Sequence, residues 1–208
     1  MSVQTRREEL LNSISHAIGA FMGIAGLVLL IVFSTNKTDW SLFSVIVYGI
    51  SIIVLFTAST LYHAVRGEKL KQYFRIVDHI GIYFLIAGTY TPVLLITLEQ
   101  SLGWPLFWVV WGIAAFGVVL KLFFTGRFEI FSTLLYLAMG WLIIFDFSAL
   151  TEAIGSNGVL WFFSGGLFYT IGILFYAIHR IPFNHVIWHL FVLAGAICHF
   201  FMILFYVI

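Results

Sequence analysis

Charge is what this chain has least of. Aspartate, glutamate, lysine and arginine together make up 9% of its 208 residues, against about a quarter in a soluble domain, which excludes a water-solvated globule and makes a bilayer the fitting solvent. Ten basic residues nearly cancel nine acidic ones, and no long basic run offers a footprint for nucleic acid, so that class of partner is not expected. Cysteine is just as scarce. The single Cys198 excludes an internal disulfide and any metal site made from paired thiolates; in its apolar run it reads as a buried, inert thiol. A metal centre must therefore be built from His, Asp or Glu. Internal repeats are also lacking, and with them the inverted-repeat signature of many transporters.

What the chain has in abundance is apolar sequence, 62% of residues with a mean hydropathy of +1.08. A helix needs about 20 mostly apolar residues to cross the hydrocarbon core. Seven such segments can be placed, at residues 14–33, 42–64, 74–98, 104–124, 130–150, 159–178 and 185–208. The first runs on too far for a cleaved signal peptide and reads as a retained membrane helix. Short connections leave no room for a second domain, so residues 1–208 are expected to form one all-α, polytopic seven-helix transmembrane bundle. Nine of the ten Lys and Arg fall on one side of such a bundle, and only Lys37 on the other. By the positive-inside rule the N-terminus is cytoplasmic and the C-terminus outside. Trp40, Trp104, Trp108 and Trp161 then fall near the opposite face, as an interfacial belt. Recurrent glycines such as Gly19, Gly23 and Gly26 read as close helix packing. Pro92 should bend the third helix, because it lacks a donor and crowds the carbonyl one turn back.

The last segment opens with Asn184-His185-Val186-Ile187-Trp188-His189. Four positions advance a helix by about one turn, so His185 and His189 point the same way with about 6 Å between them, a chelating spacing. The topology puts His63, Asp78, His79, His16 and His179 at the same membrane depth, in the cytoplasmic leaflet. Ionisable groups there are functional candidates by default. His63 with the pair would give zinc three ligands and an open fourth position, the catalytic rather than the closed structural arrangement, although imidazole suits other first-row metals too. Asp78 could orient a ligand or accept a proton, and Ser59, one turn before His63, could reach substrate. Plainer roles compete with each. Spacing alone suits a metal site and an interfacial pair equally; His16, His79 and His179 read as interfacial polar residues; Asp78 could simply complement a helix N-terminus; serines often bond their own helix. His199 lies about 15 Å further along the helix, too far to share the metal. Asp146 has no evident role.

These residues fall into a known pattern. Glu9-x-x-Asn12-x-x-Ser15-His16, Ser59-x-x-x-His63, Asp78-x-x-Gly81-Ile82 and His185-x-x-x-His189 with the later Cys198-His199-Phe200 occur in order on four segments. Across all seven, the chain resembles the progestin and adiponectin receptor (PAQR) family, specifically its bacterial haemolysin III branch. The first motif has Ser15 where relatives often carry Thr, which keeps the hydroxyl. The resemblance implies that His63, His185 and His189 bind Zn2+ near the cytoplasmic side, that Asp78 holds or activates the zinc-bound water, and that Ser59 sits beside it. It gives Glu9 and Asn12 no chemical role beyond bracing the start of helix one. It also places the chain in the cell membrane, among hydrolases that include alkaline ceramidases. The long N-terminal extension of receptor members is missing, so hormone sensing does not carry over.

The expectation is a zinc-binding membrane protein that hydrolyses a lipid-like amide or ester with an activated water, Asp78 and Ser59 being catalytic, and with the bilayer and its lipids as partners. The alternative is a non-enzymatic membrane-homeostasis or haemolysin III-type protein whose zinc is structural; a proton-coupled transporter is a further reading.

Overall fold

In hydrocarbon every backbone N–H and C=O must be satisfied within its own segment, and long apolar runs meet that demand as helices. The computed structural model describes residues 4–208 and contains helices and no strand among them. The helices are α1 (Arg6–Phe33), α2 (Ser41–Ala64), α3 (Glu68–Pro92), α4 (Gly103–Phe124), α5 (Glu129–Gly140), α6 (Phe147–Ala177) and α7 (Asn184–Met202). Six helical stretches are long and apolar enough to span a membrane, the longest being Glu129–Ala177. Helix α2 packs on α1 and α3, α6 packs on α7, and α1 also meets α7.

Several element ends differ from the hydropathy boundaries, each for a local chemical reason. Helix α1 begins at Arg6, not at residue 14, because Thr5 and Glu8 form a reciprocal capping box that satisfies donors at a helix start. Past Pro92, α3 continues as a π-helical turn, Val93–Thr97, the wider winding often found where a backbone bond is missing. The segment expected as one helix over residues 130–150 is interrupted at Gly140, and Leu142–Asp146 winds as a 3₁₀ turn. Tyr90 bridges that break: its hydroxyl donates to the Gly140 carbonyl at 2.8 Å and accepts from the Ile143 N–H at 3.1 Å. The loop expected at residues 151–158 is helical except at Gly155, whose φ of 64° and ψ of 177° suit glycine because no Cβ obstructs them.

The two ends of the bundle are chemically distinct. At one, Lys37 Nζ donates to the Val207 carbonyl at 2.9 Å, and Asp146 accepts from Ser101 Oγ and the Leu102 N–H at 2.9 and 3.0 Å. Asp146 thus caps the connection ahead of α4. At the other end, the starts of α1, α3 and α7 gather around the close of α2. Most of the ionisable side chains are there.

Candidate metal centre and its cavities

His63 comes from the last turn of α2, His185 and His189 from the first turns of α7. One ring nitrogen from each lies within 4.8 Å of the others, and the ring centroids are 5.2, 4.8 and 4.7 Å apart. Their hydrogen bonds show which nitrogens are free. His63 Nδ1 lies 2.7 Å from Glu9 Oε2, a carboxylate that can only accept, so Nδ1 carries the proton and Nε2 is bare. Likewise His189 Nδ1 donates to the Asn12 carbonyl at 3.3 Å. Nε2 of His63 and of His185 is buried without a hydrogen-bond partner. A buried imidazole nitrogen with its lone pair unused is costly, and a metal ion held among the three rings would satisfy both of these while also meeting His189.

The sequence could name Glu9, Asn12 and His16 without giving them work. Here α1 supports the cluster. Glu9 holds His63 and is itself held by Lys71 Nζ at 2.8 Å; Asn12 holds His189 through its backbone, with its amide donating to Gln4 Oε1 at 2.9 Å. The His16 ring stacks on His189 at 3.6 Å with 9° between planes. A carboxylate or carbonyl on the far nitrogen of a ligating histidine fixes tautomer and ring orientation. His16 is buried rather than interfacial, and both its nitrogens lack partners.

A small cavity opens beside the cluster, and Ser59, Asp78, His185 and His189 all line it. Ser59 is 1% exposed, and its hydroxyl is unpartnered rather than bonded to its own helix. Asp78 is buried too, so it is no solvated helix-end charge. His79 also lines the cavity, against Glu129 at 3.9 Å, which corrects its interfacial reading; His179 is exposed as expected. Glu129 further pairs with Lys121 Nζ at 3.0 Å and Arg75 Nη2 at 3.5 Å. Sequence reasoning used Lys121 only as a topological charge, although a lysine inside an apolar helix was itself a pointer.

A second, larger cavity shares Leu55, Ile82, Tyr136, Ile173, Trp188 and Val192 with the first and extends from there to His199, walled almost wholly by apolar and aromatic side chains. The two lie side by side, the first with polar groups on its wall and the second almost wholly apolar. His199 is not among the clustered histidines.

A helical, membrane-spanning bundle with a buried three-histidine cluster beside an apolar cavity defines the class: an integral membrane protein with a candidate metal centre. Comparison with known proteins names the family. The profile of the haemolysin-III-related family matches residues 4–200, and the chain belongs to that family. It is 45% identical to hemolysin-3 of Bacillus cereus over 97% of this chain and 93% of the relative. It is 44% identical to the hemolysin-3 homolog of Bacillus subtilis strain 168, over 97% and 95%, and 30% identical to the human monocyte to macrophage differentiation factor, over 94% and 83%. As a member of this family the chain is a multi-pass protein of the cell membrane.

Proposed function

We propose that this protein is a zinc-dependent membrane hydrolase that cleaves a lipid-like amide or ester from within the cytoplasmic leaflet. The observation that carries the reading is the convergence of His63, His185 and His189, the first two with buried Nε2 atoms that have no partner, at a polar cavity beside an apolar one. Three protein ligands suit zinc with a fourth position open; there the ion would lower the pKa of water to about 7 and polarise a carbonyl. Glu9 and the Asn12 carbonyl fix the ligating rings. Asp78, at the same cavity wall, takes a proton from the attacking water and passes it to the leaving nitrogen or oxygen. Ser59 donates its free hydroxyl to the substrate's polar head. The apolar cavity takes the acyl chain and keeps bulk water from the reacting bond.

We further infer a single domain that crosses the membrane seven times, with the histidine cluster at the cytoplasmic face and the C-terminus outside. A second reading, a non-enzymatic membrane-homeostasis protein, has one observation in its favour: Glu9, His63, Lys71 and the α7 pair link four helices, so a metal here would also be a clamp. The Bacillus cereus relative is named a hemolysin, but long apolar helices suit a resident membrane protein better than a lytic one.

Metal analysis of the purified protein should find about one zinc per chain in the wild type and little in His185→Ala. Absence of metal from both removes the reading. Asp78→Ala should keep zinc and thermal stability yet release no product from candidate lipid amides and esters in a mass-spectrometric screen. Equal product release by Asp78→Ala and wild type would remove Asp78 from the mechanism, and release by neither would leave the clamp as the function of the metal.

A further inference from the structure

The larger cavity ends on α7 at His199, ten residues and about 15 Å of helical rise beyond His189. The hydroxyls on its wall are mostly satisfied. Thr89 donates to the Leu85 carbonyl, Thr170 to that of Gly166, Tyr90 to that of Gly140 and Tyr136 to that of His79. Two wall residues differ. His199 Nδ1 and the Tyr169 hydroxyl are buried and find no partner among the described residues, and their rings lie 5.6 Å apart. His199 is only 7% exposed. Its Nε2 faces the Phe162 carbonyl at 3.1 Å, and a carbonyl can only accept, so Nε2 carries the proton. In the neutral ring Nδ1 is then an acceptor looking for a donor. Gly165 packs directly against the Nε2–Cδ2 edge of this ring, where a Cβ would collide with it, which fixes the imidazole in place.

We propose that His199 and Tyr169 form a second polar subsite that selects acyl chains bearing a hydroxyl well away from the carbonyl end. The ligand O–H donates to His199 Nδ1, and its oxygen accepts from the Tyr169 phenol, which satisfies both unpaired groups in one contact. A carbonyl or ether oxygen on the chain has no proton to offer Nδ1, so the subsite distinguishes hydroxylated chains from oxidised or alkylated ones. Its separation from the histidine cluster sets the position of the hydroxyl, about 15 Å from the polar head along the chain. The inference rests on the reading of the cavity as an acyl site, and deepens it.

The test is competition, measured by native mass spectrometry of the full-length protein in detergent. The probes are octadecanoic acid and its derivatives hydroxylated at the second or the twelfth carbon. The acid hydroxylated at the twelfth carbon should outcompete the plain acid by about tenfold, as one buried hydrogen bond allows, and the second-carbon isomer should have no such advantage. In His199→Phe the preference should fall to within about twofold while plain acid is still retained. Tyr169→Phe, which removes a single atom, should weaken the preference several-fold and serves if the tightly seated His199 tolerates no replacement. Equal retention of plain and twelfth-carbon acids by the wild type overturns the subsite alone. Retention of none of the three overturns the acyl cavity itself, and the subsite with it.

Discussion

At the scale of the residue, the part of the site made by ligand spacing was legible, and the part made by contact between distant segments was not. His185 and His189 declare themselves by one turn of helix. Nothing in the local sequence ties Glu9 to His63, 54 positions away, because a supporting carboxylate needs no fixed spacing from the ring it holds. Glu9→Gln keeps the side chain's size but not its charge, and should weaken zinc affinity about 10–100-fold, as loss of such a supporting partner does. Titration of the purified protein with a competing chelator measures this; unchanged affinity would separate α1 from the metal site. The Glu129 cluster makes a different prediction. Lys121 is 1% exposed and relies on the Glu129 carboxylate at 3.0 Å, and breaking a buried ion pair on one side strands the other charge. Glu129→Gln should therefore destabilise the protein by about 1–3 kcal/mol, less than for a fully buried pair because the Glu129 side chain is 28% exposed, read as a lowered unfolding midpoint in detergent. Lys121→Met in the same background should restore much of the loss, because the stranded charge is gone.

At the scale of the element, hydropathy located the helices but not their ends. A helix does not have to stop at the membrane surface: Arg6 to Ser13 are polar enough to be read as a tail, yet the Thr5–Glu8 capping box starts α1 there, and that early start carries Glu9 and Asn12 to the histidines. The break after Gly140 was equally silent, since its satisfying group, the Tyr90 hydroxyl, belongs to another helix. The glycines of α1 were correctly read as packing residues, and the packing has a consequence for the site. A Cβ on Gly19 would stand 2.7 Å from the Phe56 ring, and Phe56 in turn meets the His16 ring edge-on at 4.9 Å. Gly19→Leu should therefore push α1 off α2, at about 1–3 kcal/mol for overpacking, and loosen zinc along with it. Gly112→Leu is the matched control, because a Cβ there meets nothing within 4 Å. Equal stability and equal zinc retention in the two variants would mean that α1 can shift without disturbing the cluster.

At the scale of the whole molecule, the question is how often the chain crosses, and the stretch from Glu129 to Ala177 decides it. As one span its 49 residues would run about 73 Å at the rise of a helix, more than twice the hydrocarbon thickness of about 30 Å. Its ends are also at the same end of the bundle. Glu129 pairs with Arg75 and Lys121, while just past Ala177 the Phe183 ring lies under the Arg7 guanidinium at 5.8 Å, at the start of α1. A segment that leaves one face and returns to it must turn between, and Gly155 is the residue with non-helical torsions. Soon after it, Trp161 packs on Phe201, far from the histidine end of α7. Under the proposed seven-crossing topology this stretch crosses twice with its turn at Gly155, which keeps nine of ten basic residues on one side, as the positive-inside rule favours. Single-cysteine variants test this, because the native Cys198 is buried and contributes little background. With a membrane-impermeant maleimide on right-side-out vesicles, Asp39→Cys and Ser156→Cys should label at once. Lys69→Cys and Arg180→Cys should label only after permeabilisation. The Arg180 position discriminates most sharply: a single crossing between Glu129 and Ala177 would expose it on the outside together with Asp39, and immediate labelling there would reverse α7 and part His185 and His189 from His63, which stays on the cytoplasmic side with Lys69.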